Sequence, residues 1–158
     1  TYLGCGTASS TRGIIVCGRD TSGQANIIEF VTIATTGNSQ DFGDAVNQEN
    51  AVAGCVAGNS TRGVFAGGGD SSTTDVSYIT YATTGNTVKF GDLHTGNGYA
   101  APASDRITLV TGGGNAGGNT NRMDAVAIAT GGTSTDFGDL NDSKTVMTGS
   151  SNGHGGLG

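Results

Sequence analysis

Acid–base and nucleophilic chemistry needs histidines, carboxylates or cysteines at workable spacings, and this 158-residue chain is poor in them. Its two histidines, His94 and His154, stand far apart and in no metal-binding spacing. Its three cysteines, at 5, 17 and 55, are odd in number and match no metal motif. Cys5 and Cys55 hold equivalent places in a repeated sequence, which marks them as small buried residues. Cys17 falls on the strand expected to pair with that of Cys5, so a bridge between them stays open, and with it the redox compartment. Asp44, Asp92 and Asp139 each follow a glycine and are expected to hydrogen-bond turn backbone. Calcium needs six to eight oxygens, and no Asp-x-Asp-x-Asp loop supplies them. No Gly-x-Ser-x-Gly elbow occurs, and Gly112–Gly118 lacks the Lys-Ser/Thr that completes a phosphate loop. The expectation is a chain that is not an enzyme, with no catalytic residue, metal or cofactor. A glycan-cleaving depolymerase stays as an alternative, because it needs only two carboxylates about 5–10 Å apart.

The scaffold that positions these groups is read from composition. Gly, Ser, Thr and Asn make up about half the chain, and only 13% of residues are charged, so helices are disfavoured. The net charge of -6 leaves no footprint for a phosphate backbone, which argues against a nucleic-acid partner. No apolar run approaches the ~20 residues of a membrane span, so no membrane insertion is expected. A β-protein of short strands and many turns, or a flexible linker, remains.

Internal repetition decides between them. Ala34-Thr35-Thr36-Gly37-Asn38 returns unchanged at Ala82–Asn86 and loosely at Ala129–Thr133. Asp41-Phe42-Gly43-Asp44 returns as Lys89-Phe90-Gly91-Asp92 and Asp136-Phe137-Gly138-Asp139. Ser10-Thr11-Arg12-Gly13 returns as Ser60–Gly63 and, more faintly, as Ser104–Ile107. Drifting low-complexity sequence does not hold a phenylalanine in register three times, so the chain is a folded array.

Each copy reads as four strands. In the second they are Val52–Ala57, Arg62–Ala66 (ending in Gly67-Gly68-Gly69), Val76–Ala82 and Thr87–Phe90, the last two joined by Thr83-Thr84-Gly85-Asn86. The third strand is apolar on both faces: Ile28, Phe30, Val31 and Ile33 in copy one, and Val76, Tyr78, Ile79 and Tyr81 in copy two. A strand covered on both sides belongs to a sheet stacked between other sheets.

This order of features resembles the kelch repeat of β-propellers. The matching residues are Gly67-Gly68-Gly69, Tyr78–Tyr81, Thr83–Asn86 and Phe90, and in the third copy Gly112-Gly113-Gly114, Val126–Ala129 and Phe137. The first copy departs with the single glycine of Val16-Cys17-Gly18-Arg19, and phenylalanine stands where kelch repeats usually carry tryptophan. The units are similar to kelch-like arrays of phage and other viral structural proteins. The expected fold is all-β: kelch-like propeller blades at about 1–45, 46–93 and 94–140, plus a surplus inner strand at about 141–158. Since Val146–Gly158 repeats the register of Thr1–Gly13, the expectation is a window of a longer array, or a ring closed by several copies. A three-fold β-prism or β-trefoil is the rival architecture.

Phe42, Phe90 and Phe137 are expected in the inter-sheet core as the largest apolar areas available. Arg12, Arg62 and Arg106 are expected to pair with strand carbonyls or a nearby Asp. Function belongs where the copies differ, on loops held by a rigid scaffold. That loop face is expected to show Asp20, Gln24, Asn26, Asp70, His94, Asn97, Asn115, Asn119 and Asn121, whose amides and carboxylates can hydrogen-bond sugar hydroxyls. Tyr99 offers a stacking surface. Together these readings imply a non-enzymatic structural and adhesive module, on a virion or tail fibre or otherwise extracellular. Its expected partners are other copies, other virion proteins, and a cell-surface glycan or protein receptor. A purely architectural virion or filament protein is the alternative.

Overall fold

The computed structural model describes residues 4–16, 18–21, 23–46, 55–69 and 73–150. Among them every regular element is a strand, so the chain is all-β. Unit one holds β1 (Cys5–Ala8), β2 (Arg12–Val16), β5 (Ile27–Thr32) and β6 (Gln40–Asp44), with a two-residue hairpin, β3 (Arg19–Asp20) and β4 (Gly23–Gln24), inserted before β5. Unit two holds β7 (Cys55–Gly58), β8 (Arg62–Ala66), β9 (Asp75–Thr80) and β10 (Val88–Asp92). Unit three holds β11 (Ala101–Ser104), β12 (Thr108–Gly112), β13 (Thr120–Ala127) and β14 (Gly131–Lys144). Within each unit neighbouring strands pair antiparallel in chain order.

The units are less separate than three independent sheets. β10 and β14 pair in parallel at Gly91–Gly132 and Asp92–Thr133, which fuses units two and three into one eight-stranded sheet. Its end strands, β7 and β11, lie against each other, so the sheet curls back and nearly closes, and β1 flanks β7 as well. β14 also runs on to Lys144, which faces Thr120, so the segment expected as a surplus strand from 141 first extends β14.

The hairpin between the first two strands of each unit is set by one polar side chain. Ser9 Oγ accepts from the Thr11 and Arg12 amides, Asn59 Oδ1 from those of Thr61 and Arg62, and Asp105 Oδ1 from those of Ile107 and Thr108. These amide donations hold the Asp105 carboxyl below its ordinary range. The shared turn fixes the alignment of the copies and corrects one expectation. Thr108, not Arg106, occupies the place of Arg12 and Arg62, and Arg106 is exposed at the turn.

The core forms two layers, one at each junction between units. The first gathers Ile14, Val16, Ile28, Phe30 and Phe42 of unit one with Val56, Phe65, Ile79 and Tyr81 of unit two. The second gathers Ala57, Val64, Ala66, Val76 and Leu93 of unit two with Leu109, Val126 and Ile128 of unit three, and Tyr78 and Phe90 pack against it. Alternate residues of β8 and β9 therefore serve opposite layers, which is why the middle unit is apolar on both faces. Phe42 stands edge-on to Phe30 with centroids 6.0 Å apart, and Phe90 tilts on Tyr78 at 4.8 Å. Phe137 does not belong to the core: it is 59% exposed. Ala125 stands where Phe30 and Tyr78 stand, so Phe137 lacks the aromatic neighbour that Phe42 and Phe90 have.

Candidate functional site

The richest group of ionisable side chains lies between units two and three. On β13, Arg122 and Asp124 are two residues apart and share a face. Arg122 donates from Nε and Nη2 to Asp124 Oδ1 at 3.1 and 2.7 Å, and from Nη1 to Thr95 Oγ1 at 2.8 Å. The Asp124 side chain is 3% exposed, so the guanidinium neutralises a buried carboxylate. Across the ladder, Asp139 faces Arg122 and Asp136 faces Asp124. Asp136 Oδ1 accepts from the Gly138 amide at 2.9 Å, and the His94 amide donates to the buried Ser134 hydroxyl at 2.8 Å. His94, Arg122, Ser134, Asp136 and Asp139 line an open cleft of about 450 Å³. Its single guanidinium is already engaged by Asp124, so Asp136 and Asp139 leave the cleft a net acceptor. That suits a ligand rich in hydroxyl or amide donors rather than an anion. Among the described residues no group of three or more His, Cys, Asp or Glu is disposed to hold a metal ion.

Beyond the cleft wall, residues 94–98 lead to a cluster of asparagines. Gly98 and Asn115 exchange backbone hydrogen bonds at 2.7 and 3.0 Å, and Asn115 also bridges to Asn119. Asn115 Oδ1 accepts from the Gly117 amide at 3.0 Å, and Asn121 Nδ2 donates to the Leu140 carbonyl at 3.2 Å. Asn97 is buried: its Nδ2 donates to the Gly113 carbonyl at 2.5 Å, and its backbone carbonyl accepts from the Gly68 amide. Here the glycines are required by close approach. A Cβ on Gly67 would strike the Asn97 carbonyl, and one on Gly114 would strike Asn97 Oδ1, itself buried without a partner among the described residues.

Of the ten expected loop residues, His94, Asn97, Asn115, Asn119 and Asn121 are thus brought into one region. Asn97 is not at the surface, because its amide braces the glycine run of β12. Asp20 and Gln24 lie on the β3–β4 hairpin of unit one, and Asn26 is half-buried, its carbonyl taking the Ala45 amide. Asp70 lies outside the described residues, as do Cys17 and His154. Tyr99 is half-buried in a left-handed conformation (φ 59°) and lines a 280 Å³ cavity with Cys5, Val56, Pro102 and Met147, so its ring is no open stacking platform. The Cys5 thiol is free, and packing against the core pushes its pKa up to about 12. A low thiolate population follows, which suits a packing role and not a nucleophile.

The sequence reading missed Arg122, Ser134, Asp136 and Asp139 as a group. The available signal was the alternation of Arg122 with Asp124 on one strand and of Ser134 with Asp136 on the next. The antiparallel β13–β14 pairing sets these four side by side, and the parallel pairing of β10 with β14, which no local pattern announces, adds His94.

The same hydroxyl recurs at the other junction. The Val46 amide donates to Thr87 Oγ1 at 2.8 Å, as the His94 amide does to Ser134 Oγ. Arg12 lies over the Phe30 ring at 4.6 Å and donates to the Tyr81 carbonyl at 2.6 Å; Arg62 lies over Tyr78 at 4.3 Å and donates to the Ala129 carbonyl at 2.7 Å. No protein-family model matches the chain, and no curated protein matches its sequence.

Proposed function

We propose that the chain is part of a kelch-like β-propeller acting as a non-enzymatic structural and adhesive module, carried on a virion surface or tail fibre. The recurring joint between four-stranded units supports the architectural half: the same arginine, hydroxyl and glycine contacts serve twice. The virion setting rests on the resemblance of the repeat units to phage and viral arrays.

The adhesive half is carried by the acceptor-rich cleft of His94, Arg122, Asp136 and Asp139, with exposed Asn119 just before the strand that carries Arg122. Carboxylates fixed on a strand ladder accept hydroxyl hydrogen bonds without first being ordered, which keeps the entropic cost of binding low. A single shallow site of this kind is weak, and display on many subunits multiplies it. The test is a glycan array read with the wild-type chain, Asp139→Asn and Asn119→Ala. The expected result is a hit that both substitutions weaken about tenfold, each removing roughly one hydrogen-bonding group.

A second reading, a purely architectural protein, is favoured by one observation. The side chains of Asn97, Asn115 and Asn121 are spent on internal bonds, so much of the polar loop surface holds itself together. A folded wild-type chain that binds nothing on the array would select it.

A further inference from the structure

Unit two shows what each face of a unit packs against. Its Val64, Val76, Tyr78 and Phe90 meet unit three, and its Phe65, Ile79 and Tyr81 meet unit one. By strand register, the face that receives a preceding unit is formed in unit one by Ile15, Val31 and Ile33. It is uncovered: Ile15 and Ile33 are 45% and 55% exposed. The face that receives a following unit is formed in unit three by Val110, Met123, Phe137 and Leu140, and among the described residues no further unit packs on it: Phe137 is 59% exposed and the other three are half-buried.

The polar halves match as well. Ser39 is exposed at the position where Thr87 and Ser134 are buried as acceptors. Asn141 stands where Val46 and His94 donate their amides to those hydroxyls. A Cβ on Gly43 would strike the Gly85 backbone, and one on Gly91 the Gly132 backbone, whereas Gly37 has open space around it and Gly138 meets only the tip of Met123 at 3.7 Å. Unit one and unit three therefore each present one half of an interface already made twice between units, and these faces continue that series.

We infer that a second copy of this chain completes the joint. Unit three of one copy receives unit one of the other, with the Asn141 amide on the Ser39 hydroxyl and Phe137 covered by the Gly37–Ser39 turn. Two such joints close two copies into a six-unit ring, within the roughly four to eight blades of propellers. The ring count rests on the propeller reading; the joint does not. The Met147 amide reaches the Tyr99 carbonyl at 3.4 Å, and its side chain lies over Gly113 beside Leu140. Residues 146–150 thus lie along β11, where the second copy's β1 belongs, and must move aside when it docks.

Sedimentation equilibrium across a wide concentration range tests this. The wild-type chain should approach twice its 15.5 kDa mass. Phe137→Asp and Ser39→Lys, both at exposed positions, should each remain monomeric with unchanged circular dichroism and melting temperature. Mixing the two variants should restore a heterodimer, because one intact face remains on each. Open-ended growth that Phe137→Asp abolishes would keep the joint and overturn the ring. A monomeric wild type, or variants that associate as well as it does, would overturn the joint, and neither result depends on what the cleft binds.

Discussion

Thr87 receives the amide of Val46 on its hydroxyl at 2.8 Å, across the junction between units one and two and almost out of contact with water. The Thr87 amide in turn donates to the Asp44 carbonyl at 2.9 Å, so one residue closes the junction from both sides. Replacing it with isosteric valine keeps the volume and leaves the Val46 amide unpaired. The expected loss for Thr87→Val is about 1–3 kcal/mol, read as a lower urea midpoint at constant slope. Ser39→Val, at the equivalent but open position, should leave the monomer's midpoint unchanged.

Gly91 is required by space rather than by an unusual backbone. A Cβ there would collide with the carbonyl and amide of Gly132 on the parallel neighbour β14. Gly91→Ala must push the two units apart, and should cost about 1–3 kcal/mol or more. Gly118→Ala, where nothing lies within 4 Å, should stay within about 0.5 kcal/mol of wild type in the same titration.

The two arginines over aromatic rings act as clasps between units. Arg62→Ala removes both the contact with Tyr78 and the hydrogen bond to Ala129, and should lower stability by about 1–3 kcal/mol. Arg62→Lys should recover only part of it, because a point charge does not reproduce the planar fork. Arg106→Ala should be silent in thermal melts.

Asp124 is nearly fully buried, and Arg122 is its only cation among the described ion pairs. Arg122→Leu should therefore cost about 2 kcal/mol or more, since it strands a buried carboxylate. Adding Asp124→Asn should return part of that loss, and a double-mutant cycle would measure the coupling.

Alkaline pH should loosen the junction between units one and two first. Burial raises the Cys5 thiol to about 12 from 9.0, and raises the Tyr81 phenol to about 12 from 10.0 despite its 2.7 Å hydrogen bond with Thr7. Both groups are neutral when protonated, so the folded state resists their ionisation. Their stabilisation is complete below pH 9 and is lost as pH rises from 9 to 12. Urea midpoints should fall across that window, and Tyr81→Phe should flatten the upper part of the fall. A midpoint constant from pH 8 to 11 would contradict this account.

Much of the scaffold was legible because it depends on local chemistry. Arg62–Ala66 reads as a strand and is one, and the two-faced pattern of Val76–Tyr81 implied a sheet between sheets. What local pattern could not supply was neighbourhood. Phe137 repeats Phe42 in sequence, yet it is exposed, with Ala125 in place of the aromatic that Phe42 packs on. Arg106 resembles Arg62 until the Asp105 turn shows a two-residue offset. Asn97 reads as a polar loop residue, and only the close approach of Gly67 and Gly114 explains its burial. The cleft was the least legible, since its members belong to no motif and His94 joins the β13–β14 residues only through the β10–β14 pairing.

Around the apolar layers, the polar contacts between units are written largely in main-chain amides and carbonyls, small hydroxyls and bare glycines. Such an interface carries little lock-and-key information, so one unit can stand in for another. A gene built this way can gain, lose or exchange whole units without renegotiating each boundary, and its outward loops are free to diversify while the frame stays the same.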